Sequence, residues 1–85
     1  MPELCRFFGI VITMYHEDHP PPHFHARYAG HQATFAFDGE MLAGAMPGRQ
    51  RRLVQAWAEL HGGELKTCWE RAQELEDPGT IEPLR

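Results

Sequence analysis

His23-Phe-His-Ala-Arg-Tyr-Ala-Gly-His-Gln-Ala-Thr-Phe-Ala-Phe37 is the stretch that decides the fold. Its first half alternates strictly, with His23, His25 and Arg27 pointing one way and Phe24, Ala26 and Tyr28 the other, the period of two that marks a strand. Ala29-Gly30 predicts a two-residue hairpin turn, and His31 to Phe37 returns as a second strand. Phe24 then faces Phe35, Ala26 faces Ala33, His25 faces Thr34 and Arg27 faces Gln32. One face collects Phe24, Tyr28, Phe35 and Phe37; the other carries His23, His25, Arg27, Gln32 and Thr34. A slip of one residue would bury both histidines, so the aromatic pattern sets the register. His31 falls beside Tyr28, on the face away from His25.

Outward from this hairpin, Asp38-Gly39 is a second and stronger turn signal, leading into a strand over Glu40 to Met46. Upstream, Phe7 to Tyr15 is β-branched and aromatic with apolar residues on both alternating sets. That pattern predicts one strand covered on both faces, either central in the sheet or part of a homodimer contact. Glu17-Asp-His-Pro-Pro-Pro22 breaks regular structure, because successive prolines remove donors and favour extended polyproline geometry. Downstream, Pro47-Gly48 introduces a helix with Leu53, Val54, Trp57 and Leu60 at helical spacing, ended by Gly62-Gly63. A second helix places Leu65, Cys68, Trp69, Ala72 and Leu75 on one stripe before Asp77-Pro78-Gly79 stops it. The expected architecture is α+β: a four-stranded, mostly antiparallel meander with two C-terminal helices on its aromatic face, one domain over residues 1–85. The tail from Thr80 is too short to read.

The 85 residues hold one small core, and with 42% apolar residues the chain is not intrinsically disordered. A formal charge of -4 is the wrong sign for gripping a phosphate backbone, which disfavours nucleic acid as a partner. Cys5 and Cys68 form no C-x-x-C pair and read as reduced, partly buried thiols, which fits a cytoplasmic protein. The opening Met-Pro-Glu-Leu-Cys-Arg lacks a basic region followed by an apolar stretch, and no apolar run is long enough to span a bilayer. Neither export nor membrane insertion is expected.

The chemistry concentrates in His16-Glu-Asp-His-Pro-Pro-Pro-His-Phe-His25. His23 and His25, about 6.6 Å apart along one strand face, are close enough for both imidazoles to meet one metal ion. Two ligands do not make a site, and the third has to come from His16, Glu17, Asp18 or His19. Polyproline rise puts His19 roughly 12 Å from His23 unless the loop bends. The expected metal set is therefore His23, His25, His19 and Asp18, for zinc, nickel, iron or manganese. The blander alternative makes the histidines surface polar residues or partner contacts.

A metal-free reading uses His23 or His25 as general base and Arg27 to hold an anion such as phosphate. No nucleophile triad or glycine-rich phosphate loop accompanies them. Arg49, Arg51 and Arg52 crowd the first turn of the first helix, against its dipole, and are binding candidates for an acidic surface or phosphate; a solvated helix end is the plainer reading. His61, at the end of that helix, suits a dipole contact and needs no function.

Several words of the sequence, in order, resemble a bacterial family catalogued as domain of unknown function 4160. They are the opening Met-Pro with Arg6-Phe-Phe-Gly-Ile, Met14-Tyr, Glu17-Asp-His19, Pro21-Pro-His-Phe-His-Ala26, Trp57, Leu60-His61, Trp69-Glu, Ala72 and Ile81-Glu-Pro-Leu84. The family's loop typically reads Asp-His-Asn-Pro-Pro, whereas this chain has proline at position 20. The family is uncharacterised, and the resemblance assigns no catalytic residue. It implies a small protein partner, of the domain of unknown function 2442 type, encoded alongside in an arrangement similar to toxin–antitoxin pairs.

Three functions follow as expectations. The first is an interaction component of such a two-gene module, binding through the open histidine face or an edge strand. The second is a metal-binding protein or metal-dependent hydrolase centred on His23 and His25. The third is a small metal-free ribonuclease.

Overall fold

The computed structural model describes residues 3–85. Five strands, β1 (Glu3–Phe7), β2 (Ile10–Thr13), β3 (Phe24–Tyr28), β4 (His31–Phe35) and β5 (Met41–Gly44), precede two helices, α1 (Gly48–Leu60) and α2 (Gly62–Gln73). The sheet is an antiparallel meander in chain order. It has five strands rather than four, because Glu3–Phe7, upstream of the run expected as the first strand, forms an additional strand, and the expected run from Phe7 to Tyr15 begins with the turn and shortens to β2. Phe8 and Gly9 both take positive φ, 49° and 79°, and turn the chain between β1 and β2. A phenylalanine in that region is uncommon, so the Phe8-Gly9 dipeptide carries little turn signal of its own.

The central hairpin follows the alternation. Phe24 pairs with Phe35, His25 with Thr34, Ala26 with Ala33, Arg27 with Gln32 and Tyr28 with His31. Ala29 and Gly30 have φ of 47° and 83°, the doubly positive turn that matches strand twist. The core face carries Leu4, Phe7, Ile10, Ile12, Met14, Phe24 and Phe35, all buried. On this face Trp57 of α1 sits 5.8 Å from the Phe7 ring and 5.5 Å from Phe24, ring centre to ring centre. Leu65, Cys68 and Ala72 of α2 bury against the same core. Burial pushes the Cys5 thiol up to about 12 and raises that of Cys68, and both cysteines are free.

The helix boundary differs from expectation. Gly62-Gly63 opens α2 instead of ending α1, and His61 alone separates the helices, with φ -124° and ψ 24°. Its Nδ1 lies 2.6 Å from Glu64 Oε1, which ties the junction to the first turn of α2. Two apolar residues placed on the buried stripes are instead exposed: Leu60 ends α1 on its outer side, and Leu75 lies beyond α2 at positive φ. The strand expected over Glu40 to Met46 shortens to β5.

The C-terminal tail is part of the fold. Ile81 is buried and donates its amide to the Leu4 carbonyl at 3.0 Å, while the Trp57 indole donates to the Glu82 carbonyl at 2.8 Å. Among the described residues no helix is long and apolar enough to cross a membrane. Met1-Pro2 lie outside the described residues.

Candidate metal centre

β3 delivers His25 to the outer sheet face, and the residue before the strand delivers His23; their ring centres are 5.1 Å apart. The third member, Asp18, comes from the loop between β2 and β3. That loop is pinned to the end of α2: the Glu17 amide donates to the Ala72 carbonyl, the Gln73 side chain donates to the Asp18 carbonyl at 2.9 Å, and the His16 ring donates to the Glu76 carbonyl at 2.9 Å. Asp18 is thus held over the histidines from the helix side.

Asp18 Oδ2 lies 2.9 Å from His23 Nε2 and 3.1 Å from His25 Nε2. One donor atom from each of the three residues lies within 4.8 Å of the others. Burial by itself would raise the Asp18 carboxyl, but the hydrogen bond from His25, the charge of His23 and the His19 amide together hold it below the usual aspartate range.

His23 departs from expectation. The alternation puts it with His25 on the open face, yet it is buried, with Trp69 of α2 5.5 Å from its ring. Its Nδ1 lies 2.7 Å from the Pro21 carbonyl oxygen. A carbonyl can only accept, so Nδ1 carries the proton and Nε2 is the nitrogen aimed at Asp18. Nε2 and the Asp18 oxygen, 2.9 Å apart, are bridged by a shared proton or by a metal ion. A ring N–H fixed on a backbone carbonyl is also what orients metal-ligating histidines in general.

His25 stays half-exposed, its ring edge-to-face with Tyr15 at 4.4 Å. Directly across from it on β2, Thr13 is buried, with a hydroxyl oxygen that has no hydrogen-bond partner among the described residues.

The remaining predicted site residues separate from this set. The Pro20–Pro21 peptide is cis and the His19 ring centre lies 6.3 Å from that of His23. The His19 side chain is 91% exposed and touches only the outer edge of Asp18, at 3.5 Å, so it is not a member of the three-residue cluster. Arg27 is exposed and borders a groove it shares with His25. Arg49, Arg51 and Arg52 are exposed in the first turn of α1, and none makes an ion pair or hydrogen bond to the centre among the described residues. Sequence reasoning missed Tyr15, Trp69, Gln73 and the Pro21 carbonyl. Tyr15 could have been found, since it shares the parity of Thr13 and Val11 on the outer face.

The family model described as domain of unknown function (DUF4160) matches residues 9–70. The chain belongs to this family. No curated protein and no solved structure matches it. The DUF4160 span contains Asp18, His23, His25 and both tryptophans, and excludes β1 and the tail.

Proposed function

We propose that this chain is a small metal-binding domain, in which Asp18 Oδ2 and the Nε2 atoms of His23 and His25 hold one divalent ion. The supporting observation is the His23 Nδ1 to Pro21 carbonyl hydrogen bond, which leaves Nε2 as the ligand atom and points it at a carboxylate. An ion about 2.1 Å from each donor bridges pairs up to about 4.2 Å apart, so the cluster closes on it with shifts below an ångström. Two imidazoles and one carboxylate suit zinc, nickel, iron or manganese. Three protein ligands leave a coordination position for water, the arrangement of metal-dependent hydrolases, in which the metal supplies a hydroxide near neutral pH. Trp69 and Tyr15 flank the histidines and limit solvent at the centre. With its two free cysteines the domain is suited to the cytoplasm.

The test is a zinc titration of untagged protein against a chromophoric chelator. Stoichiometric binding that is lost on changing Asp18→Ala or His25→Ala supports the reading, and binding unchanged by both substitutions refutes it.

A second role, as the interaction component of a two-gene toxin–antitoxin-like module with a partner of the domain of unknown function 2442 type, draws support from β5. Among the described residues this edge strand pairs only with β4 and leaves Leu42, Ala43 and Gly44 exposed. Main-chain groups on such an edge can accept a further strand. Co-purification with the adjacent gene product, abolished by a proline placed at Leu42, is its test; an unaffected complex would exclude the edge.

A further inference from the structure

Beside the centre, on the sheet face that the helices do not cover, lies a depression of about 200 Å³. Its polar walls are Tyr15, His25, Arg27, Gln32 and Thr34, and its remaining lining is alanine and glycine. Arg27, Gln32, Thr34 and Tyr15 all offer hydrogen-bond donors, Arg27 is permanently charged, and no carboxylate lines the space. In a chain with formal charge -4 and twelve acidic residues, that is a local reversal of sign. Among the described residues no carboxylate oxygen comes within 4.0 Å of the Arg27 guanidinium; the nearest acidic influence, Glu3, is itself bonded to Arg6 at 2.7 Å.

We infer that this groove seats a small phosphate-class oxyanion, held by Arg27 next to the open coordination position at His25. The inference rests on the metal reading for its geometry, and names the substrate class of that site. His25 belongs to both the cluster and the groove, and Arg27 follows two residues along the same face of β3. The spacing of about 7 Å along a strand lets one anion meet both the guanidinium fork and an ion bound at His25. The volume is below the roughly 300–1,000 Å³ of drug-sized sites, so the groove takes a phosphoryl group and leaves any larger leaving group outside. Overall negative charge works against long polyanions, which favours a small phosphate ester over a nucleic-acid strand.

Calorimetric titration of inorganic phosphate, then methyl phosphate, into the protein with and without one equivalent of zinc tests this, with Arg27→Gln and Arg27→Lys alongside. Arg27 is exposed, and circular dichroism verifies that both variants fold. The expected result is phosphate binding by the zinc-loaded protein, weakened about tenfold or more in Arg27→Gln, partly restored in Arg27→Lys, with zinc affinity unchanged. Equal binding of methyl phosphate identifies the group as an ester's phosphoryl, whereas binding of inorganic phosphate alone identifies the free anion. Zinc binding with phosphate affinity indifferent to Arg27 overturns the inference and leaves the metal centre standing. If zinc does not bind, Arg27-dependent phosphate binding upholds the groove without the metal, and its absence overturns both.

Discussion

His23 and Pro21 are joined by a 2.7 Å hydrogen bond from the imidazole Nδ1 to the backbone carbonyl two residues earlier. The bond spans the proline loop and the start of β3, so the loop that supplies Asp18 also sets which nitrogen His23 presents to it. The tautomer of His23, its orientation toward Asp18 and the loop path are therefore one feature of the chain.

The two histidines differ in burial, and their substitutions should differ in consequence. His23 packs on Trp69 and its side chain is 10% exposed, whereas the His25 side chain is 27% exposed. In metal-free protein, His23→Ala should cost about 1–3 kcal/mol, from the lost ring packing and the unpaired Pro21 carbonyl. His25→Ala should cost less than 1 kcal/mol. Both should abolish metal binding. Urea denaturation in chelator measures the difference, and equal stabilities would contradict the placement of His23.

Trp57 is fully buried, contacts Phe7 and Phe24, and donates to the Glu82 carbonyl. Trp57→Ala should lose about 3–5 kcal/mol by cavity formation and release of the tail. Trp57→Phe keeps most of the packing but loses the indole donor, and should cost less. Thermal melts of the two variants rank the contributions.

The Asp18 carboxyl titrates below the usual aspartate range in the folded metal-free protein. A depressed folded value means the unfolded chain binds the proton first, so this group adds stability at pH values above its unfolded value. That stability drains away as pH falls from about 4 through the lower folded value. Asp18→Asn should flatten the acid limb of a melting-temperature profile there. An unchanged acid limb would show that the carboxylate is not held by the histidines.

Much of the fold is legible because the central hairpin is over-determined. Alternation, aromatic placement and the Ala29-Gly30 turn all give one register, and β3 and β4 pair in that register. The misses have local causes. Phe8-Gly9 turns through a residue that seldom adopts positive φ, so the turn goes unread, the first strand looks as if it starts at Phe7, and β1 is missed. Gly62-Gly63 reads as a helix stop, yet His61 makes the break and the glycines begin the next helix. At the site, alternation puts His25 on the right face but says nothing about Trp69, whose contact with His23 depends on where α2 lies. Asp18 was one candidate among several because a proline loop has no period; Gln73, 55 positions away, fixes it.

Gly44 sits at φ 86°, where a Cβ would collide with the Gln32 carbonyl and lie 2.8 Å from Ala33 Cα. Gly44→Ala should destabilise by about 1–3 kcal/mol and disturb the groove that Gly44 helps line. A wild-type melting curve would contradict the described path of β5.

Metal content distinguishes a bound ion from a proton at the Asp18–His23–His25 cluster. Untagged protein, expressed without added metal and purified without chelator, is measured by elemental analysis beside the Asp18→Ala and His25→Ala variants. Near-stoichiometric zinc, nickel, iron or manganese is expected in the wild type, with its loss from both variants. No metal in the wild type, together with no uptake on adding these ions, would contradict the metal-binding proposal.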